Sequence, residues 1–105
     1  MKEEITVEEL NKWRLTGHSH LLIDVREVYE NEMANIGGRL IPMGEITKHL
    51  DEIPKDIPVV FHCKSGGRSA NVTKYFLQRG WDNVLNLQGG IFAWIERIDP
   101  SMSKY

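Results

Sequence analysis

Three short apolar runs, Leu21–Val25 (LLIDV), Val59–Cys63 (VVFHC) and Asn83–Leu87 (NVLNL), each followed by a segment of helical character, constrain the fold of this chain most. Runs of this length with β-branched members read as strands, and LLIDV as one buried on both faces. Between and around them apolar residues fall at helical spacing. Thr6 and Glu9 have capping-box spacing ahead of a helix that carries Leu10 and Trp13 and stops at Gly17. Arg26–Ile36 has helical character and ends at Gly37-Gly38, before a short apolar piece, Leu40-Ile41. Met43–Ile53 places Ile46, Leu50 and Ile53 on one face and stops at Pro54. Val72, Phe76 and Leu77 form the apolar side of a helix closed by Gly80, and Gly89–Ile98 reads as a last helix. This alternation predicts an α/β layer fold with a mostly parallel sheet covered on both faces, in which sites form beyond the carboxyl ends of the strands.

A chain of 105 residues has room for one core, so residues 1–105 are expected to be a single domain, with 99–105 a frayed tail. The net charge of −2 carries no bias toward nucleic acid or anionic lipid, and neither is expected as a partner. The one cysteine, Cys63, has no internal disulfide partner, which favours a reducing compartment. No apolar run approaches membrane length, and the N-terminal stretch MKEEITVEEL has none after its lysine, so the expected location is cytoplasmic, with no membrane contact.

Cys63 ends the second apolar run, and Lys64, Ser65, Gly66 and Gly67 separate it from Arg68, where a helix is expected to begin. Amides at a helix N-terminus have no internal partner and carry the positive end of the helix dipole. Paired glycines let successive N–H groups converge on one point, an anion-binding nest. A thiol there loses its proton more readily; free cysteine titrates near about 8.5 and activated ones at about 3.5–7.5. Arg68 adds a permanent charge and a planar fork of donors aimed at the same spot. A lone cysteine is ordinarily a small buried hydrophobe, and Gly-Gly-Arg after a strand can be a mere turn. Their coincidence where a strand meets a helix points instead to a reactive anion, carrying a persulfide or a phosphate.

The stretches IDVREVYE (Ile23–Glu30), HCKSGGRSA (His62–Ala70) and GWDNVLNLQGGIFAW (Gly80–Trp94) occur in an order that resembles the rhodanese-like domains, a sulfurtransferase family. The second is similar to that family's C-x-S-G-x-R-S loop. The resemblance implies a three-layer α/β/α fold with Cys63 as a nucleophile that carries sulfane sulfur as a persulfide, taken from thiosulfate or a related donor and passed to cyanide, a thiol or a protein cysteine. It implies no cofactor and no metal. Cys63 and Arg68 would be catalytic, Lys64, Ser65, Gly66 and Gly67 would bind substrate, and Asp24 and Arg26 would order the site from behind. Phosphatases and arsenate reductases of the same fold place one more residue between cysteine and arginine; the shorter loop disfavours them. A sulfur-carrying or redox-sensing module without fast turnover is the other alternative. The segment NIGGRLIPMGEI is shorter than the family's usual counterpart and carries Arg39 where a small residue is common.

Other residues have quieter readings. Asp24 and Arg26 fall on the edge that carries Cys63, where an ion pair or turn cap explains them as well as a site role. Glu27 and Glu30 are expected as local partners on a solvated helix face. Ser69 is expected to cap its helix, Lys64 to stand exposed at the mouth, and His62 to point away from Cys63 as a structural residue. His18, His20 and His49 have no metal-ligand spacing, and the three tryptophans read as packing residues.

Overall fold

In the computed structural model the three apolar runs form the inner strands of one sheet. The structure describes residues 3–105; Met1 and Lys2, within the expected domain span, lie outside the described residues. In chain order the elements are β1 (Glu4–Ile5), α1 (Val7–Thr16), β2 (Leu21–Asp24), α2 (Val28–Met33), β3 (Arg39–Leu40), two 3-10 turns (Met43–Lys48 and Leu50–Glu52), β4 (Val59–His62), α3 (Gly67–Leu77), β5 (Val84–Leu87) and α4 (Gly90–Arg97). The sheet order is β1-β5-β4-β2-β3, and every pair is parallel.

Alternation along the strands divides the core in two. Leu22, Val60 and Leu87 face α1 and α4, packing on Val7, Leu10, Ile91, Trp94 and Ile95. Ile23, Phe61 and Val84 face the other way, onto Val72 and Phe76 of α3 and onto Ile46 and Ile53 of the 3-10 segment. These are the three layers that the alternation requires.

Several local signals act as read. Thr6 and Glu9 form both halves of the capping box, and Gly17 ends α1 in the left-handed region. Gly80 closes α3, with the Trp81 N–H bonded to the Phe76 carbonyl. Three expectations are corrected. The helix expected over Arg26–Ile36 covers only Val28–Met33, because Asp24 holds the Arg26 amide in a bend, Glu27 is extended at ψ 159° and Ala34 is extended at φ −156°. Met43–Ile53 winds as 3-10 turns instead of an α-helix. Residues 99–105, expected to fray, fold back along α4: Met102 packs on the core and the Tyr105 ring meets Phe92 edge-on, centroids 5.5 Å apart.

The register aligns the site. Asp24 lies opposite both His62 and Leu40, so Val25, Ile41 and Cys63 leave the sheet on one edge. There α4 anchors the loop that follows β4. Its first free amides do not face solvent: Ile91 N–H donates to the Cys63 carbonyl (2.9 Å) and Phe92 N–H to that of Lys64 (3.1 Å). Gly90 permits this approach. It has φ +62°, and a Cβ on it would stand 2.6 Å from the Cys63 oxygen and from the Lys64 carbonyl. Gly90→Ala is therefore expected to destabilise the fold by about 2 kcal/mol or more in urea unfolding, combining left-handed strain with overlap. Gly67→Ala, whose added Cβ meets nothing within 4 Å, is expected to stay within about 1 kcal/mol of the parent.

Candidate active site

Cys63 is 1% exposed, yet its sulfur is surrounded by donors. Gly66 N–H lies 3.1 Å from Sγ, Ser69 N–H 3.5 Å and the Ser69 hydroxyl 3.3 Å. Gly66 makes the turn possible, at φ +114°, a conformation closed to most side chains. Burial pushes the thiol pKa up, but the Ser69 hydroxyl and the amides of Ser69, Gly66 and Ser65 outweigh it and hold the thiol below its ordinary value.

Ser69 does not cap α3, as the sequence suggested. The N-cap is Gly66, with no side-chain bond, and Ser69 is inside the first turn with its hydroxyl turned to the site. Its oxygen lies 2.5 Å from Asn86 Oδ1 as well as 3.3 Å from Sγ, and one hydroxyl proton serves one acceptor at a time. Asn86 is buried on β5, and its amide donates to the Gly66 carbonyl (3.4 Å) and to Glu4 (3.2 Å). A polar residue inside the otherwise apolar run NVLNL was the available signal, and sequence reasoning passed over it.

Arg68 is also placed differently from expectation. Both its terminal nitrogens go to Glu30, Nη1 to Oε1 at 2.7 Å and Nη2 to Oε2 at 2.9 Å, so its fork faces a carboxylate and only its charge reaches the sulfur. Glu30, expected on a solvated helix face, is 3% exposed. It also accepts from the Glu27 amide (3.1 Å) and the Tyr105 hydroxyl (2.7 Å). Arg68 foremost, then Tyr105 and the Glu27 amide, hold the Glu30 carboxyl down at about 2 against the cost of burial.

Behind this pair stands a second. Arg26 is fully buried, with Nε on Asp24 Oδ1 (2.9 Å) and Nη2 on Asp24 Oδ2 (2.7 Å); Nη2 also donates to the Ala34 carbonyl and Nη1 to the Tyr105 hydroxyl (3.0 Å). Asn31 completes the shell of Asp24 at 3.0 Å. Burial raises the Asp24 pKa, and the Arg26 guanidinium, the nearby His62 and Asn31 together bring it below its ordinary value. Lys64 is half-buried: its ammonium lies 5.1 Å from the centre of the Phe92 ring and 5.3 Å from that of Tyr105. Ser65 and Gly67 are exposed on the loop. Arg39 pairs with Glu52 at the surface.

His62 is completely buried on β4, and neither ring nitrogen has a hydrogen-bond partner among the described residues. Burial lowers its pKa to about 4 despite the Asp24 charge.

At one helix N-terminus a buried thiol is thus held among amide and hydroxyl donors, with a fixed arginine–carboxylate pair beside it. A family model for the rhodanese-like domain matches residues 6–97, and the chain belongs to that family. A sulfurtransferase of Allochromatium vinosum is 41% identical over 95 residues, covering 90% of this chain and 89% of the relative. The probable adenylyltransferase/sulfurtransferase MoeZ of Mycobacterium tuberculosis is 38% identical over 96% of this chain, but the chain spans only 26% of that protein. Among solved structures, a rhodanese-like domain protein from Staphylococcus aureus superposes with a TM-score of 0.81 at 33% identity, over 88% of this chain and 90% of that one. The kinship is with proteins of sulfurtransferase type.

The depressed pKa values of His62 and Glu30 predict separate pH windows. His62 is neutral in both states above about 6.5; below that the unfolded chain takes up a proton the folded chain refuses until about 4. Stability should therefore fall by about 1.4 kcal/mol per pH unit from this group across that interval. Glu30 contributes stability above its ordinary value of 4.5, lost as pH falls toward about 2. Urea midpoints of His62→Leu are expected to be flatter than the parent's between pH 6.5 and 4.5, with the decline below pH 4.5 retained.

Proposed function

We propose that the protein moves a sulfane sulfur from thiosulfate or a related donor to a thiophilic acceptor through a persulfide on Cys63. The convergence of the Gly66 amide, the Ser69 amide and the Ser69 hydroxyl on one sulfur carries this reading. The Cys63 thiolate attacks the outer sulfur of thiosulfate; the new S–S bond forms as the old one breaks, and sulfite leaves with its electron pair. The persulfide that remains bears its negative charge beside the donors that served the thiolate, as an oxyanion hole serves oxygen. Cyanide in an assay, or a thiol such as a protein cysteine, then takes the outer sulfur and returns Cys63 as thiolate. Exchange is thus ping-pong, with one anionic site used twice.

The residues divide the work. Gly66 and Gly67 shape the turn, Ser65 and Ser69 supply donors, Arg68 holds a positive charge in place near the sulfur, and Lys64 offers a cation at the rim for an anionic donor. Asp24 and Arg26 fix the floor beneath α2. A reducing compartment, in which Cys63 stays unpaired, suits this chemistry.

Thiosulfate treatment followed by intact-mass measurement is expected to add one sulfur atom, about 32 Da, to Cys63, and cyanide to remove it. Cys63→Ser should lose thiosulfate:cyanide activity by at least about a thousand-fold, as removal of a covalent nucleophile does. An unmodified mass after thiosulfate, or full activity in the serine variant, would discard the assignment.

A further inference from the structure

After α4 the chain doubles back toward the site. The Ile98 and Asp99 amides both bond the Trp94 carbonyl, Ser101 N–H turns onto Asp99 Oδ1 and Met102 N–H onto the Asp99 carbonyl. Met102 packs on the α1/α4 core, Lys104 pairs with Glu96, and Tyr105 meets Phe92. Glu96 and Phe92 are successive turns of α4 on the way to its N-terminus, the end that holds the Cys63 and Lys64 carbonyls. Residues 99–105 thus form a strap laid antiparallel on the helix, delivering Tyr105 to the loop.

Tyr105 is linked to both ends of that loop, to one directly and to the other through Glu30. Its ring lies 5.3 Å from the Lys64 ammonium at one end. At the other, its hydroxyl and Arg68 Nη2 converge on the same oxygen, Glu30 Oε2, at 2.7 and 2.9 Å. The hydroxyl is also an acceptor for Arg26 Nη1 (3.0 Å), so it is fixed from two sides by buried charges. A side chain tied to Lys64 and, through one carboxylate oxygen, to Arg68 links the two ends of the loop that holds Cys63. Cys63 inside it is 1% exposed.

We propose that Tyr105 is a specificity-determining residue of the Cys63 site: a wall latched by its hydroxyl that admits small reagents to the sulfur and holds back bulky ones until the strap swings out. The inference rests on Cys63 being the reactive group, as proposed above, and it specifies the size of the partner. A small anionic donor enters past the latched wall. A protein thiol must displace Tyr105 first.

Access is read without any sulfur transfer, because Cys63 is the only cysteine. The 105-residue chain and its Tyr105→Ala and Tyr105→Phe variants are alkylated with iodoacetamide, where the thiolate forms a C–S bond and iodide leaves. A second reaction uses a maleimide on a long polyethylene glycol chain, to whose double bond the thiolate adds. Tyr105→Ala is expected to speed the bulky reagent about ten-fold, the reciprocal of a strap-open fraction of about one in ten, and iodoacetamide by less than about two-fold. Tyr105→Phe, which keeps the ring and loses the latch, should give a smaller rise of at least about two-fold for the bulky reagent alone. An unchanged ratio of the two rates in both variants overturns the proposal, as does an equal rise for both reagents. A rise in the alanine variant alone overturns the part given to the hydroxyl. If thiosulfate adds no mass while the reagent ratio shifts, the sulfurtransferase reading falls and the gate stands; a mass gain with an unshifted ratio removes the gate alone.

Discussion

The orientation of two peptide planes governs the rest of the site. In a trans peptide the carbonyl and the following N–H point in opposite directions. When Ile91 and Phe92 of α4 take hold of the Cys63 and Lys64 carbonyls, the Lys64 and Ser65 amides are turned away from that helix. The chain then enters the left-handed turn at Gly66 and begins α3, and the Gly66 and Ser69 amides come to the sulfur. One helix N-terminus therefore sets the geometry of the loop, and a second supplies the donors. Gly90, with no room for a Cβ, lets the first make contact at all. The close approach of α4, conspicuous in the sequence only as Gly89-Gly90, belongs to the sulfur site as much as to the core.

Two buried carboxylates organise the surroundings, and they are satisfied in the same way. Asp24 accepts from the Arg26 amide, Arg26 Nε, Arg26 Nη2 and Asn31; Glu30 accepts from Arg68 Nη1, Arg68 Nη2, Tyr105 and the Glu27 amide. Each fills the roughly four acceptor positions of a carboxylate. That completeness offsets the cost of burying charge, which for an incomplete ion pair exceeds the Coulombic gain. Tyr105, donating to Glu30 and accepting from Arg26, joins the two pairs into one network. Rigidity at Arg68 follows: its guanidinium is committed to Glu30 and acts on the sulfur as a fixed charge, with no free fork to offer a ligand while the pair is intact.

What the sequence made legible is what depends on neighbours in the chain. The three inner strands show as apolar runs, the Thr6–Glu9 box and the Gly17 and Gly80 stops show as caps, and the cysteine loop shows as a turn between strand and helix. What it concealed depends on distant partners. β1 and β3 are two residues each, too short for a period, and exist because a neighbouring strand accepts them. Glu30 looks like any acidic residue on a short helix until Arg68, 38 positions later, arrives beside it. Tyr105 lies 79 residues from Arg26, and nothing local distinguishes its segment from a loose end. Ser69 has the residue type of a cap, but the glycine turn had already shifted the cap to Gly66, which freed its hydroxyl for the sulfur.

The burial of Cys63 has opposite effects on the two chemical states it would pass through. For a thiol, removal from water favours the neutral form and opposes the thiolate that must attack. For an anion already formed, the same low dielectric strengthens each hydrogen bond that reaches it. Donors fixed by the fold reconcile the two, since they lower the thiol pKa without reorganising when charge appears. Ser69 adds an adjustable contribution. While the sulfur holds its proton, the hydroxyl can give its own to Asn86 at 2.5 Å; once the sulfur is charged, rotation about one bond delivers it to Sγ at 3.3 Å. An anion at Cys63 thus gains a donor that the neutral thiol does not need, at the cost of one bond to a neutral amide. The exchange favours charge on sulfur because hydrogen bonds to ionised acceptors are about twice as strong as those to neutral ones.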